Sequence, residues 1–353
     1  MRVIIFNPYG IGDVLSTYPL LSALKQESGV REIYFLANSR AGQVLKGNPF
    51  VDQIIVFERD NLKGRPKAWF SLFWQVRKLR PDVAFDLTMN RNLSFFLMLT
   101  GAKERIGFDF RSRGTFLTKK RKINGFEKPI VEEYFSLYRL FYPNSNFDLT
   151  SACPKIHLDE EEERFGKLLM YNLNLNQDAV LIAVFPGGGA SWGKERKKRF
   201  WPEDRFQALI ERLLDYDKRV IIMVMGDASD REVLTLPIPL IRSRRVFDLR
   251  GRLTLRESLS VLSLCSLSIT NDGGPAHLSA AMGVNLISIM GPVPEAVYRP
   301  FAPEDKVKVI VSDRSCRPCY RNFRMPECPY DYACLKDISV EEVFSQCIQY
   351  LPA

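Results

Sequence analysis

Three glycine-containing turns follow short apolar runs in this sequence, and their residue types suit phosphate binding and proton transfer. They occupy residues 10–13, 186–193 and 270–278, and each precedes a segment with helical periodicity. Glycine lets the backbone turn tightly and approach a ligand closely, and free N–H groups at the start of a helix attract anions. We therefore expect an anion-binding site assembled from the ends of several strands.

The first turn carries a carboxylate that could serve either of two purposes. Asp13 follows Gly10 and Gly12 and opens the first helical pattern. As a capping residue it would accept backbone N–H bonds, and as a general base it would accept a proton at the mouth of a cleft. The turn lacks the dinucleotide-binding pattern G-x-G-x-x-G, because residue 15 is Leu.

The second turn joins glycines to a run of cations. Gly187 and Gly188 begin it, and Lys198 and Arg199 end the basic loop that follows. Backbone N–H groups and cationic side chains can share the charge of a diphosphate, which favours a phosphate site over the alternative of a solvated basic loop. The P-loop spacing G-x-x-x-x-G-K-[ST] is missing.

The third turn places a histidine beside an acidic glycine pair. Asp272, Gly273 and Gly274 precede a helix that begins near Pro275, and His277 lies in its first turn. A single histidine is usually structural, but this position favours a role at the bound anion. The chain has only two histidines, which excludes a histidine-rich metal site.

Four cysteines lie close together in the segment 316–334. Their spacing is Cys316-x2-Cys319-x8-Cys328-x5-Cys334. A tetrahedral zinc site fits this spacing, and an iron–sulfur cluster or surface disulfides are the alternatives. We expect a structural role for these cysteines, because no acid–base group accompanies them in the sequence.

The elements that must position these residues alternate between strand and helix. Strands are predicted at 3–6, 33–37, 53–57, 83–86, 180–185, 219–225, 267–270 and 285–290, with helices between them at 14–27, 69–80, 202–214, 255–263 and 275–282. This alternation predicts parallel sheets covered by helices, with ligands at the carboxyl ends of the strands. We expect two doubly wound domains facing a cleft, at 1–170 and 171–353, with the boundary near 165–178.

Length, charge and hydropathy agree with this organisation. A chain of 353 residues is too long for one compact core, and its net charge of +9 suggests anionic partners. No segment reaches the ~18–20 uninterrupted apolar residues that span a bilayer, and the first apolar run is too short for a signal peptide. We expect a cytoplasmic protein.

These segments, in this order, resemble the ADP-heptose:lipopolysaccharide heptosyltransferases of glycosyltransferase family 9. The matching residues include Gly12-Asp13, Pro19, Arg105-Ile106-Gly107-Phe108, Lys198-Arg199-Phe200-Trp201-Pro202, Asp272–His277 and Gly291-Pro292. The resemblance covers nearly the whole chain. It implies a GT-B fold, meaning two Rossmann-like domains with the acceptor held by the first and the sugar nucleotide mostly by the second.

The resemblance also implies a reaction and a set of roles. It implies inverting transfer of heptose from ADP-heptose without a catalytic metal or other cofactor. Asp13 would be the general base, and Lys198 or Arg199 would steady the leaving diphosphate. The residues implied to bind the donor are Gly12, Gly187, Gly188, Asp230, Asp272, Gly273, Gly274 and His277, with Asp230 at the ribose hydroxyls.

The basic segment 105–122 suggests an acceptor site. Arg111, Arg113 and Lys120 could bind the phosphate and carboxylate groups of an anionic glycolipid, or the inner face of the cytoplasmic membrane, where a solvated basic face is the alternative. No nucleic-acid-binding motif is visible in the sequence. Two other functions stay open: a family member with another donor or acceptor, and a non-catalytic nucleotide-binding protein.

Overall fold

A computed structural model describes residues 1–58, 65–188 and 199–352 of the chain. The chain forms two compact units, Met1–His157 and Leu158–Ala353. Lys198 and most of the basic loop before it lie outside the described residues. Within the described ranges, no helix combines the length and the apolar character that crossing a membrane requires.

The first unit is built on a six-stranded parallel sheet. Its strands are β1 (Arg2–Phe6), β2 (Glu32–Ala37), β3 (Gln53–Val56), β4 (Val83–Asp86), β5 (Glu104–Phe110) and β6 (Lys119–Ile123). They are ordered β3-β2-β1-β4-β5-β6. The direction of winding reverses between β1 and β4, and in an open parallel sheet the crevice beyond the carboxyl ends at such a reversal is where ligands bind.

The helices of the first unit cover the sheet. They are α1 (Ile11–Leu15), α2 (Tyr18–Gln26), α3 (Ser39–Gly42), α4 (Pro66–Lys78), α5 (Arg91–Leu99) and α6 (Ile130–Phe141). The single helix predicted over 14–27 is wrong, because the chain forms α1 and α2 with a break at Ser16 and Thr17. Pro19 explains the break, since proline lacks an N–H donor and is tolerated only in the first turn of a helix.

The second unit repeats the same plan. Its strands are β7 (Val180–Phe185), β8 (Val220–Val224), β9 (Val246–Asp248), β10 (Leu267–Asn271), β11 (Asn285–Ile289) and β12 (Val307–Ile310). They form a parallel sheet ordered β12-β11-β10-β7-β8-β9. Here the winding reverses between β7 and β10, which are the strands that lead into the second and third glycine turns.

The helices of the second unit pack around a large apolar core. They are α7 (Glu160–Asn172), α8 (Glu203–Tyr216), α9 (Ile238–Arg242), α10 (Leu255–Leu262), α11 (Gly274–Ala281), α12 (Glu295–Tyr298), α13 (Ala333–Lys336) and α14 (Val340–Cys347). The core includes Trp201 and Phe206 together with side chains of β7, β8 and β10. The second and third glycine turns therefore follow strands, β7 and β10, whose side chains are buried in this core.

The units divide earlier in the chain than the expected boundary of 170/171. The division falls between His157 and Leu158, so α7 belongs to the second unit. The reason is specific packing of α7 on α10: Ser260 Oγ accepts the Gly166 N–H at 2.9 Å, and Arg256 forms an ion pair with Glu162. The acidic start of α7 therefore belongs to the second unit's packing.

Candidate functional site

The second and third glycine turns lie against each other at the winding reversal of the second sheet. A Cβ atom on Gly188 would lie 2.7 Å from the carbonyl oxygen of Asp272. Gly273 has φ of +149°, and a Cβ there would collide with the carbonyl oxygen of Gly188. Only glycine fits both positions, because neither side has room for a side chain and Gly273 has a backbone conformation that L-residues rarely adopt.

A buried asparagine holds this junction together. Asn271 donates its side-chain amide to the carbonyl oxygen of Pro186 and accepts the Trp201 N–H at 2.8 Å. It therefore ties β10 to the turn after β7 and to the segment that returns from the basic loop. Sequence reasoning did not single out Asn271, although a polar residue at the last position of an apolar strand was the available signal.

Arg199 and Asp272 form an ion pair inside the second unit. Both side chains are almost completely buried, at 3% and 5% exposure. Burial lowers the pKa of Arg199 to about 9, with Tyr320 and Tyr298 opposing the shift, so the guanidinium is still a cation at neutral pH. The structure thus gives Arg199 an internal partner, and its contact with a diphosphate stays a prediction.

His277 lies in the first turn of α11, four residues beyond Gly273. Burial lowers the pKa of His277 to about 4, and the nearby Arg199 cation adds to the shift. The imidazole is therefore neutral at pH 7, where it can donate one hydrogen bond and accept another. Because α11 begins at Gly274, its first N–H groups and the neutral imidazole lie at the same end of the helix.

The Asp230 carboxylate packs against two glycines, Gly187 and Gly226. Its carboxylate is buried and accepts the Asp227 N–H at 2.9 Å. A Cβ on Gly187 or on Gly226 would collide with the same carboxylate. The structure therefore shows a carboxylate packed against two turns, and the role of Asp230 at a ribose stays a prediction.

Asp13 is held at the start of α1 in the first unit. One carboxylate oxygen accepts the Gly10 N–H at 3.2 Å, and the other accepts the Tyr134 hydroxyl at 3.0 Å. Burial raises the pKa of Asp13, and the two hydrogen bonds lower it in part. The residue is thus both a helix cap and a carboxylate of raised basicity. Gly12 lies beside it in α1 and accepts the hydrogen bonds of Ser16.

Tyr134 is a functional candidate that the sequence did not reveal. It is fully buried in α6 and packs between Phe108 and Phe126, with ring centroids 6.2 and 5.8 Å away. It lies 121 positions from Asp13 in the chain, so no local pattern joins the two. The aromatic packing fixes the hydroxyl and thereby the carboxylate that it contacts.

A second buried carboxyl occupies the carboxyl end of β4. Asp86 accepts hydrogen bonds from the Ser94 hydroxyl and from the Thr88 N–H, the latter at 2.9 Å. Burial raises the pKa of Asp86. It pairs in register with Phe6 at the end of β1, so one carboxyl group ends β4 and another, Asp13, lies in the helix that follows β1. An acidic residue ending an apolar strand was its only sequence signal.

The predicted acceptor residues lie at the β5–β6 edge of the first sheet. Arg111 and Arg113 are exposed and stand over the Phe110 ring, with Cζ 4.8 and 5.8 Å from its centroid. Lys120 contacts Asp109 at 3.2 Å. Asp109 also accepts the Gly114 N–H, which holds the pKa of Asp109 below its usual value. The contacts of Asp109 therefore hold the loop between β5 and β6, while Arg111 and Arg113 remain exposed on it.

The four clustered cysteines line one pocket. Cys316, Cys319, Cys328 and Cys334 surround it, and all carry free thiols. Burial raises the pKa of Cys334 to about 11, and the neighbouring thiols add to the shift. Across residues 1–58, 65–188 and 199–352, no three His, Cys, Asp or Glu side chains are arranged closely enough to ligate one ion. Cysteine sulfur is a ligand that suits a soft metal ion, but no three of these side chains are close enough in this structure to share one ion.

Comparison with known families places most of the chain in one of them. The model of glycosyltransferase family 9 (heptosyltransferase) matches residues 69–328. The lipooligosaccharide heptosyltransferase 2 of Campylobacter jejuni is 24% identical over 350 residues, covering 98% of this chain and 97% of the relative.

Solved structures show the same fold. The ADP-heptose lipopolysaccharide heptosyltransferase II of Escherichia coli aligns with a TM-score of 0.75 at 19% identity, over 99% of this chain and 98% of that one. A family 9 glycosyltransferase from Veillonella parvula aligns with a TM-score of 0.78 at 18% identity, over 99% and 96%. The GT-B fold expected from the sequence is confirmed.

Proposed function

This chain belongs to glycosyltransferase family 9, the heptosyltransferase family, and from that premise we propose that it transfers heptose from ADP-heptose to an anionic lipopolysaccharide core acceptor. The names of its relatives in Campylobacter jejuni and Escherichia coli suggest both substrate classes. The observation in this chain that carries the proposal is the junction of two glycine turns at the start of α11. Bare backbone N–H groups at a helix start suit the diphosphate of such a donor.

The donor is activated at this junction. Breaking the bond between the anomeric carbon and the diphosphate leaves the electron pair on the departing ADP, so negative charge grows there. The N–H groups of Gly273 and Gly274 are the proposed backbone donors to that charge, since groups held in place before the reaction need no rearrangement. Pro275 has no N–H, and the Ala276 N–H donates to the Gly273 carbonyl oxygen at 3.2 Å. Neutral His277 adds a hydrogen bond from the same end of the helix. Lys198, outside the described residues, and Arg199 are the proposed cations.

The acceptor is activated by Asp13. Its carboxylate takes the proton of the acceptor hydroxyl while the oxygen forms the new bond to the anomeric carbon. Attack on the face opposite the leaving group inverts that carbon, and neither step uses a metal ion. The raised pKa of Asp13 supports this role, because a more basic carboxylate accepts a proton more readily near neutral pH.

The acceptor's acidic groups would bind at the β5–β6 loop. Arg111 and Arg113 stand on the Phe110 ring, which limits their motion and leaves their guanidinium groups available to solvent. Arginine forks bind phosphate and carboxylate through paired hydrogen bonds. Lys120, beside Asp109, contributes less positive charge because its partner partly neutralises it.

We expect ADP to bind the purified full-length chain at least about tenfold more tightly than GDP, UDP or dTDP, because a base-specific pocket rejects a partner that leaves its polar groups unpaired. Calorimetry with each nucleotide measures this preference, and mass spectrometry of an ADP-heptose reaction with core glycolipid detects the transferred heptose. Preference for another nucleotide would indicate that this family member uses a different sugar-nucleotide donor. Absence of binding to any nucleotide would remove the enzyme proposal.

A pair of glycine substitutions provides the matched control for that measurement. Gly273→Ala places a methyl group where it collides with the carbonyl oxygen of Gly188, and this variant is expected to lose ADP binding. Gly283→Ala also places alanine at positive φ, +75°, but meets no atom within 4 Å. It should bind ADP normally, so a loss in both variants would indicate general backbone strain.

For the cysteine pocket we propose a structural zinc ion or an iron–sulfur cluster, which would cross-link the loop between β12 and α13. Four thiols of one pocket are suitable ligands, and binding would displace their protons. Protein purified without chelators is expected to contain about one zinc ion, or the iron and sulfide of one cluster, per chain by elemental analysis, and Cys316→Ser with Cys319→Ser should remove it. Metal-free protein in which these four cysteines react as thiols would contradict the proposal, and metal-free protein in which they react only after reduction would indicate disulfides.

A further inference from the structure

Helices α4 and α5 present an exposed apolar surface on the first unit. Its members are Phe70 and Trp74 of α4 and Phe95 and Leu99 of α5, which we call the α4–α5 surface. They are 63%, 44%, 41% and 45% exposed. Each pair is spaced i, i+4, so both side chains of a pair lie on the same face of their helix.

The two pairs belong to one continuous surface, because the helices pack side by side. Phe96 of α5 contacts Trp69 and Phe73 of α4, with ring centroids 5.6 and 6.5 Å apart. The Arg77 guanidinium donates to the Leu99 carbonyl oxygen at 2.9 Å. The opposite faces of both helices join the core over β1 and β4 through Leu72, Val76, Leu93 and Leu97.

The charged residues of the two helical segments are all cations. The segments 65–80 and 91–103 contain seven Lys and Arg residues and no Asp or Glu: Arg65, Lys67, Arg77, Lys78, Arg80, Arg91 and Lys103. Lys67, Phe70, Trp74 and Lys78 follow each other at helical spacings, so cations border the aromatic pair at both ends of α4. Aromatic side chains bordered by lysine are typical of surfaces that lie in the headgroup region of a bilayer.

The basic strand β6 has a different character. Arg121 forms an ion pair with the buried Glu133, and Lys120 contacts Asp109. Lys119 stands over the Phe141 ring at 4.9 Å. These cations are engaged within the unit, and charged side chains on an edge strand also prevent it from pairing with other sheets. The apolar side chains that a bilayer requires lie on α4 and α5.

We propose that the α4–α5 surface docks this protein on a bilayer that contains anionic phospholipid. Phe70, Trp74, Phe95 and Leu99 enter the headgroup region, and Lys67 and Lys78 contact lipid phosphates. A second copy of the chain fits this surface less well, because an isologous contact would bring the same cations together. The inference needs neither the donor nor the acceptor, so it stands apart from the proposed transfer reaction.

The test is co-sedimentation of the full-length chain with vesicles that contain no glycolipid. Phosphatidylcholine vesicles are compared with vesicles in which 30% or so of the lipid is phosphatidylglycerol, at low and high salt. We expect binding to the anionic vesicles that weakens with salt. The double variants Phe70→Ser with Trp74→Ser, and Lys67→Glu with Lys78→Glu, should each lower the affinity at least about tenfold.

The second unit offers a matched control. Leu168 and Tyr171 of α7 are 52% and 77% exposed, and their replacement by Ser removes a comparable exposed apolar pair. This variant should bind vesicles as the parent does. The proposal is overturned if the parent protein does not bind anionic vesicles, or if the control variant loses binding to the same extent. It is also overturned if Phe70→Ser with Trp74→Ser leaves vesicle binding unchanged and only dissociates a dimer. ADP affinity of every variant, measured in parallel, reports on the transfer proposal separately.

Discussion

Replacing Asp13 by Asn is expected to lower kcat/KM for heptose transfer by a factor of roughly 10²–10⁴, the usual contribution of a general base. The amide oxygen can still accept the Gly10 N–H. The amide NH2 replaces the oxygen that faces Tyr134 and can donate to the Tyr134 hydroxyl oxygen, so the start of α1 keeps both contacts. The amide cannot take a proton from the acceptor hydroxyl. Steady-state kinetics with ADP-heptose and core glycolipid measure the loss, and calorimetry should show unchanged ADP affinity.

The companion variant Tyr134→Phe separates the base from the residue that positions it. The hydroxyl stabilises the ionised form of Asp13, so its removal raises the pKa of Asp13 further. Asp13 must be deprotonated to act, and the acid limb of the kcat/KM profile should therefore move to higher pH. Activity should fall about tenfold on the acid side and recover as pH rises. A merely structural role for Tyr134 would lower activity equally at every pH.

Full turnover by Asp13→Asn would remove the residue from the mechanism. In that case Tyr134→Phe should leave the pH profile unchanged, because the proton acceptor would be another group. Asp86 is the next carboxyl to examine, since its pKa is also raised by burial at the end of a neighbouring strand.

Breaking the Arg199–Asp272 ion pair should have the largest effect on stability. Asp272→Asn leaves a buried guanidinium without its counter-charge, and Arg199→Met leaves a buried carboxylate in the same condition. Removing one partner of a buried pair costs about 3–5 kcal/mol, which for a unit of this size lowers the melting temperature by roughly 10 °C. Urea unfolding followed by circular dichroism measures the loss.

An exposed pair and a double variant complete this experiment. Glu341→Gln makes the same carboxylate-to-amide change in an ion pair with Arg212 that is largely exposed, and it should cost less than about 1 kcal/mol. The double variant Arg199→Met with Asp272→Asn should be more stable than the two single losses predict, because no buried charge is left. Additive losses would show that the two residues do not interact in solution.

The core strands of both sheets were predictable, because a strand in a parallel sheet is buried on both faces and is written as a short apolar run. The prediction 180–185 matches β7, and 83–86 matches β4. The strands β5 and β6 were missed because they lie toward the edge of the sheet and carry charged residues, which made residues 105–122 look like a basic surface. Apolar runs reveal the centre of a sheet better than its edges.

The helices show a second limit of sequence patterns. Residues 69–80 predict a helix, and α4 is there, but its apolar side chains cover more than half of its circumference. Such a pattern does not indicate which face meets the core. Phe70 and Trp74 turned out to be exposed because α5 packs beside α4 and the sheet covers Leu72 and Val76.

The sequence by itself determined the family, the alternation of strands and helices and the glycine turns, because these depend on residues close together in the chain. The tertiary structure alone placed the Tyr134 hydroxyl on Asp13, gave Arg199 its partner Asp272 and put Asp230 beneath Gly187. Each of these contacts joins residues far apart in the chain, and burial shifts the pKa of Asp13 and of Arg199. Local spacing carries no information about either, since which residues share a desolvated site is fixed only when the sheets are assembled.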